Sequence, residues 1–355
     1  MIVNEGAAQI ELPSEPVKKG PGTRTVGFYN PSQRLNRDLT LSFLAAKRPE
    51  KFLDAFGASG IRGIRVDREA GISTVMSEIN PASYRIALNN IERNSARVEI
   101  FNESFEKTIE RHLFDFIDID PYGSIIPYID KAITGVRNRG FVGATATDLS
   151  SLTGSVRAKT KRRYDAYIKT DMFKHEMGIR LLISYIAKRA AVLDMAATPE
   201  ISFWHSHFYR VIFRVEHGAA KADNTLEQIG TLNKHKLLSN TYEDADEGPV
   251  WKGKLSNPDT VKSMADEKLV HSSPKSESYL NYLENEDTSV LFLELSDIAR
   301  NVRSNMPPME AVAQHLADMG VKSHRTHYSF SGLKVEDSLM TAYDNISKLM
   351  TEKYR

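Results

Sequence analysis

Apolar and polar positions alternate in two rhythms over the first two thirds of the chain. Short apolar runs of strand length occur at KFLDAF, STVMSEI, RVEIF, LFDFIDID and GFVGATAT. Helical candidates lie between them, at IRGIRVDREA, PASYRIALNNIERN, SFEKTIERH and SIIPYIDKAITGVR. The longest helical pattern is KHEMGIRLLISYIAKRAAVLDM. The next two runs, EISFWHS and FYRVIFRVE, are separated by too few residues for a crossover, so they should pair antiparallel. Alternating strands and helices predict an α/β fold with a doubly wound, mainly parallel sheet, here ending in an antiparallel hairpin. Ahead of it lies an entry segment: GAAQIEL reads as a strand, PSEPVKKGPGT as a loop, and a helix starts near Arg34 with Asp38 capping LTLSFLAAK.

The pattern weakens after Glu216. Residues 219–259 are polar and broken by turns, and read as a connector between a first domain, 1–218, and a second, 260–355. In the second, LSDIARNV and PPMEAVAQHLADMG read as short helices, and VKSHRTHYSFSGLKV as two strands around Ser331-Gly332. This smaller α+β domain has the element order of a winged-helix module.

Composition narrows the function classes. A chain of 355 residues suits two domains. With 47 Lys and Arg against 46 Asp and Glu, a uniformly basic nucleic-acid binder is excluded, but a local basic patch is not. The absence of cysteine excludes disulfides, a thiolate nucleophile and Cys-ligated zinc or iron–sulfur sites. No apolar run approaches the roughly 20 residues that span a bilayer, and MIVNEGAAQIELP lacks the layout of a secretion signal. A cytoplasmic protein is expected.

Two motifs carry chemistry. In FLDAFGASGIRG, Gly57, Gly60 and Gly63 punctuate a strand-to-helix turn. Such a turn lets the backbone approach a ligand and offers free amides at the helix start. Glu78 follows about 20 positions on, where an acid accepts from ribose hydroxyls. This spacing fits a nucleoside ligand without separating NAD from S-adenosylmethionine. Glu103, after the third strand, is placed to meet an adenine edge or to cap a helix.

The second motif is IDIDPYGS, with Asp120-Pro121-Tyr122 directly after the fourth strand. Acid or amide, Pro, aromatic at this place is the signature of methyltransferases acting on exocyclic amines. Such an amine is a poor nucleophile, because its lone pair is delocalised into the ring. A fixed carboxylate favours the tetrahedral, positive nitrogen that must form as it attacks. Pro121 stiffens the loop, and Tyr122 offers a flat face for an extruded base.

The segments FYNPSQRLNRDL, DAFGASGIRGIR, FIDIDPYGS, TATDLSSLTG, KHEMGIRLL, HFYRVIFRV and RTHYSFSGLK make the chain resemble the archaeal and eukaryotic tRNA guanine-N2 dimethyltransferases that modify position 26. The resemblance runs from residue 28 to 334. It implies a class I, Rossmann-like methyltransferase domain, S-adenosylmethionine as donor, tRNA as partner and a family-specific C-terminal domain. It also implies that Arg37 and Arg62 contact the donor together with Gly57, that Glu78 holds the ribose where Asp is usual, and that Glu103 and Ser104 border the adenine. Asp120 would be the catalytic carboxylate, and Phe28 and Tyr122 would sandwich the guanine. Relatives that bind zinc use cysteines, so no metal is implied here.

SVRAKTKRRY gathers Arg157, Lys159, Lys161, Arg162 and Arg163, enough to neutralise tRNA phosphates. This run follows the fifth strand, on the side where the active site is expected. His324, Arg325, His327 and Tyr328 offer a second contact surface, whereas His205 and His207 read as structural. The expected reaction is transfer of one or two methyl groups to N2 of guanine 26. The alternatives are amino-methylation of another RNA or DNA base, or a tRNA-binding protein that retains a methyltransferase shell.

Overall fold

The computed structural model describes residues 1–16, 20, 25–238, 245–267, 269–286 and 289–355. The chain opens with a two-stranded antiparallel hairpin, β1 (Ile2–Glu5) and β2 (Ala8–Glu11). Then come α1 (Arg34–Lys47), β3 (Lys51–Asp54), α2 (Ile61–Arg65), β4 (Ser73–Ser77), α3 (Pro81–Arg93), β5 (Val98–Phe101) and α4 (Phe105–Arg111). These are followed by β6 (Phe114–Ile119), α5 (Ile129–Gly135), β7 (Val136–Ala146), α6 (Leu149–Leu152), α7 (Arg157–Tyr164), α8 (Lys174–Ala191), β8 (Met195–His205) and β9 (Phe208–His217).

Five of the expected strands are β3 to β7, and the last two runs are β8 and β9. They form one seven-stranded sheet of order β5-β4-β3-β6-β7-β9-β8, parallel except for β9, which runs antiparallel to both neighbours. Phe52, Phe116 and Phe43 pack ring to ring in its core, at 5.3 and 5.8 Å. Asp38 is not the helix cap expected from sequence. It lies inside α1, fully buried, where its carboxylate accepts from the Ser276 hydroxyl at 2.9 Å and pairs with Arg65 at 2.7 Å. The expected helix at SIIPYIDKAITGVR shrinks to α5, because Pro127 interrupts its start and Val136 already begins β7. The strand β1 was not anticipated; it pairs with β2 and carries the buried Glu5.

Beyond β9 the chain forms α9 (Ala219–Leu226), β10 (Ile229–Asn233), α10 (Lys234–Leu237), β11 (Asp246–Trp251), α11 (Pro258–Asp266) and α12 (Pro274–Asn285). It ends with β12 (Leu293–Glu294), α13 (Leu295–Asn301), α14 (Met309–Asp318), β13 (Ser323–Arg325), β14 (Gly332–Val335) and α15 (Leu339–Lys353). The stretch expected as a connector therefore holds a β10–β11 ladder with helices on either side. Parts of that stretch and of the early Pro-rich loop, at 239–244, 17–19 and 21–24, lie outside the described residues.

Contacts gather the chain into two compact units that interleave in sequence. One comprises 1–149, 186–227 and 256–280; the other comprises 150–185, 228–255 and 281–355. This differs from the linear division expected at residue 218. Within the second unit, β12, β14 and β13 form a three-stranded antiparallel sheet, in that order. Its core includes Phe173 against Phe292 at 5.0 Å, and a buried Glu176 that pairs with Lys334 at 2.8 Å and Arg180 at 2.7 Å.

Candidate active site

The first unit holds a cavity of 540 Å³ at the carboxyl ends of β3, β4 and β6, within the range typical of small-molecule sites. Its floor is set by register. Asp54, the last residue of β3, is the partner of Asp118 on β6, so both carboxylates leave the sheet on one face. Two residues further, alternation returns Asp120 to that face just beyond the strand end.

These acids share two arginines. Arg210 on β9 is fully buried and donates from Nη1 to Asp118 Oδ1 at 3.0 Å and from Nη2 to Oδ2 at 2.5 Å. Gly143 on β7 makes that reach possible, since a Cβ there would stand 2.4 Å from Arg210 Nη2. Arg62 on α2 donates from Nη1 to Asp118 Oδ2 at 3.4 Å and from Nη2 to Asp120 Oδ2 at 2.5 Å. Burial works against the Arg62 charge, but Asp118, Asp120 and Asp54 outweigh it and raise its pKa. Asn36 on α1 adds a 3.5 Å contact to the same Asp120 oxygen. Asp120 Oδ2 is thus held, and among the described residues Oδ1 has no hydrogen-bond partner. Asp54 carries the excess negative charge of the cluster. Burial, and then the neighbouring Asp118 and Asp120, push its carboxyl up to about 7 against the pull of Arg62.

The glycine turn closes the next wall. Gly60 takes φ +85°, a conformation that a side chain would strain, and starts α2. Gly57 N–H donates to Ser77 O at 2.9 Å, which stitches the turn to β4. Glu78 accepts from Ala58 N–H at 2.8 Å and Asn80 N–H at 2.7 Å, so its carboxylate is fixed at the rim with lone pairs remaining for a hydroxyl. Glu103 and Ser104 reach the same cavity. Glu103 accepts from the Thr108 hydroxyl at 2.9 Å and pairs with Arg111, while Ser104 is the first residue of the α4 cap.

Arg37 lines the cavity from α1, buried, with its side chain held by Glu5. Phe28 and Tyr122 meet at the mouth, ring centroids 4.8 Å apart and tilted by 58°. Tyr122 is 45% exposed, unusual for so large an aromatic side chain. All nine residues expected to surround donor and base therefore line one cavity.

Sequence reasoning missed Asp54, Asp118, Arg210 and Asn36. The alternation in FIDID, which places Asp118 and Asp120 on one face, was the available signal for Asp118. Arg210 sits in an apolar strand, where only a buried acid can explain a charge. His207 is buried, with Nε2 3.5 Å from Asn30 Nδ2, and burial lowers its pKa. His205 contacts Tyr279 OH at 2.7 Å and Lys275 Nζ at 2.9 Å. Among the described residues no three His, Cys, Asp or Glu side chains are grouped to hold a metal ion. Nor is any described helix long and apolar enough to cross a membrane.

The basic run forms α7 of the second unit. Arg157, Lys161, Arg162 and Arg163 are exposed and Lys159 is half-buried. Arg157 lies 4.5 Å over the Tyr167 ring, Lys159 donates to Ser150 at 3.1 Å, and Lys161 pairs with Asp165. The second expected surface changes composition. The His327 side chain, against Glu286, and Tyr328 are buried, so they face the core instead of solvent. Arg325 remains exposed and lies 5.7 Å from the ring of Phe330, which is 86% exposed.

With this geometry in view, likeness to known proteins becomes specific. The model of the N2,N2-dimethylguanosine tRNA methyltransferases matches residues 6–347. The tRNA (guanine(26)-N(2))-dimethyltransferase of Thermoplasma acidophilum is 45% identical over 338 residues, 95% of each chain. That of Metallosphaera sedula is 31% identical, over 94% of this chain and 92% of its own. The structure of Trm1 from Pyrococcus horikoshii in complex with S-adenosyl-L-methionine superposes with a TM-score of 0.85 at 28% identity, covering 97% of this chain and 99% of that one. Matched over nearly its whole length in both sequence and structure, the chain belongs to the N2,N2-dimethylguanosine tRNA methyltransferase family.

Proposed function

We infer that this protein transfers methyl groups from S-adenosyl-L-methionine to the exocyclic N2 of guanine 26 in tRNA, giving N2,N2-dimethylguanosine. The observation that carries the assignment to this site is Asp120, with one oxygen fixed by Arg62, in the lining of a cavity that Phe28 and Tyr122 also border.

The cavity suits the donor. It combines a buried cation at Arg37, a carboxylate rim at Glu78 and a glycine turn packed closely at Gly57, where a Cβ would stand 3.0 Å from Met76 Cε and 3.4 Å from the Ser77 carbonyl oxygen. Arg37 meets the donor's carboxylate, Glu78 its ribose hydroxyls, and Glu103 and Ser104 its adenine. When bound, S-adenosyl-L-methionine supplies an electrophilic methyl group. Asp120 Oδ1 accepts a hydrogen bond from the guanine N2–H, draws the nitrogen toward tetrahedral geometry and stabilises its growing positive charge. As the N–C bond forms, the donor's S–CH3 bond would break with its electron pair staying on sulfur, leaving S-adenosylhomocysteine, and the surplus proton on N2 passes toward Asp120. Arg62 keeps the carboxylate aimed. A guanine between Phe28 and Tyr122 needs ring planes roughly 7 Å apart, twice the base-step spacing of about 3.4 Å. From 4.8 Å the rings must part by about 2 Å, so base entry and ring separation are one event.

The first unit thus carries the chemistry, and the second contacts tRNA through α7 and the Arg325–Phe330 pair. The order β12, α13, α14, β13, β14, with sheet order β12-β14-β13, supports a winged-helix module there. A cytoplasmic location goes with a tRNA substrate.

Nucleoside mass spectrometry of tRNA incubated with protein and donor tests the reading. N2,N2-dimethylguanosine should appear, and disappear when guanine 26 is replaced by adenine. Equal methyl incorporation into the adenine transcript would overturn it. Asp120→Ala should cut turnover by about 10²–10⁴-fold while S-adenosylhomocysteine still binds.

A further inference from the structure

One side chain of the N-terminal hairpin, Glu5, is hydrogen-bonded to Arg37 and Tyr29, both of which line the donor cavity. Glu5 ends β1, is 2% exposed, and collects four donors from three residues. Arg37 donates to it from Nε at 2.6 Å and from Nη2 at 2.5 Å; Arg65 Nη1 donates at 2.7 Å and Tyr29 OH at 2.9 Å. The Arg37 pairing is side-on. It uses the Nε–Nη2 edge of the guanidinium, and Nη2 gives its second proton to Asn30 O at 3.0 Å. Nη1 is left, and among the described residues nothing accepts from it. Because a guanidinium is planar and rigid, fixing one edge fixes the direction of the other. Arg37 lines the cavity, and the only anionic group of the donor is its methionyl carboxylate.

We propose that Glu5 is a positioning residue for donor binding: it orients Arg37 so that Nη1 meets the carboxylate of S-adenosyl-L-methionine, which makes the N-terminal hairpin part of the cofactor site. The inference rests on the reading that Arg37 contacts that carboxylate. Glu5 acts on a second wall as well. The Tyr29 hydroxyl it holds belongs to the residue next to Phe28, and Arg37 lies 5.2 Å from the Tyr29 ring. One carboxylate therefore ties the donor's anchor to the backbone that presents the base platform.

The hairpin does not depend on Glu5 to dock. Asn90 of α3 and Asn94, the residue after its last, bind β2 by accepting from Glu11 N–H at 2.7 Å and Gln9 N–H at 2.8 Å. Ala8, Ile10 and Leu12 are buried against Ile61, Ile64 and Ile91. A change at Glu5 can thus alter aim without undocking the strand.

The test compares two ligands by calorimetry on the full chain. S-Adenosylhomocysteine carries the amino-acid carboxylate; 5′-methylthioadenosine lacks it. Glu5→Gln should weaken S-adenosylhomocysteine at least tenfold, leave methylthioadenosine within twofold, and add nothing further to Arg37→Ala in the double variant. Equal weakening of both ligands would mean general damage to the cavity and would overturn the proposal. So would unchanged S-adenosylhomocysteine affinity in Glu5→Gln beside a loss in Arg37→Ala. If Arg37→Ala itself leaves that affinity intact, the reading of Arg37 falls, and the inference with it. Should Glu5→Gln not fold, Glu5→Asp keeps the charge but shortens its reach, and the same comparison applies.

Discussion

Asp54→Asn should stabilise the protein at alkaline pH and lose that advantage in acid. The Asp54 carboxyl is buried between Arg62 and two further carboxylates, and is held at about 7 instead of 3.8. A group whose folded pKa is raised costs nothing below the unfolded value, where both states are protonated. Between 3.8 and about 7 the unfolded chain releases the proton and the folded chain keeps it, so stability falls as pH rises. At 1.36 kcal/mol per pH unit the accumulated cost is about 4 kcal/mol by pH 8. Asparagine keeps the acceptor for the Phe56 N–H, now at 3.3 Å, and carries no charge to bury. Thermal unfolding followed by circular dichroism at pH 5, 6.5 and 8 reads the effect. The variant-minus-native difference in Tm should grow steadily with pH, by several degrees in total. A difference that is the same at pH 5 and pH 8 would refute the reasoning, because a titrating Asp54 cannot give a flat profile.

Glu5 titrates in the opposite sense. Burial opposes its charge, but Arg37 and Arg65 outweigh it and hold the carboxyl at about 2. Its contribution is present above the unfolded value of 4.5 and lost as pH falls toward 2, so Glu5→Gln should flatten the acid limb of the same unfolding profile. Arg210→Met would strand Asp118 without its bidentate partner and should cost about 3–5 kcal/mol in denaturant unfolding. Tyr122→Ala removes one face of the base platform and should lower kcat/KM for tRNA by about ten- to a hundredfold, with Tyr122→Phe near native. Replacing Arg157, Lys161 and Arg163 together by Ala should reduce the salt slope of tRNA binding by about 3, measured by filter binding from 50 to 300 mM salt; an unchanged slope would remove α7 from the interface.

The sheet was legible because its strands are short apolar runs bounded by turns, and burial on both faces leaves that trace. The cavity was legible because two of its walls, FGASG and DPY, are local in sequence. What the sequence hid is what distant pairing creates. Arg210 lies 92 residues from Asp118 and Glu5 lies 32 from Arg37, and no spacing rule links them. Asp38 illustrates the opposite failure. An acid near a helix start satisfies the capping pattern, yet Arg65 and Ser276 draw it into the interior. His327 and Tyr328 read as a surface because His, Arg and Tyr suit nucleic acid, but a buried Glu286 claims His327 and leaves Phe330 to face solvent.

The interleaving of the two units also decides how the protein can be cut. The chain passes from one unit to the other five times, at 149/150, 185/186, 227/228, 255/256 and 280/281. No single cleavage point yields two complete halves. A fragment ending at 218 would lack residues 256–280 of the first unit while still carrying residues 150–185 of the second, stripped of their partners. Neither unit is a continuous stretch of sequence that a single excision could remove. Insertions and deletions should instead concentrate in surface turns, and partial proteolysis should release overlapping fragments rather than two separate bodies.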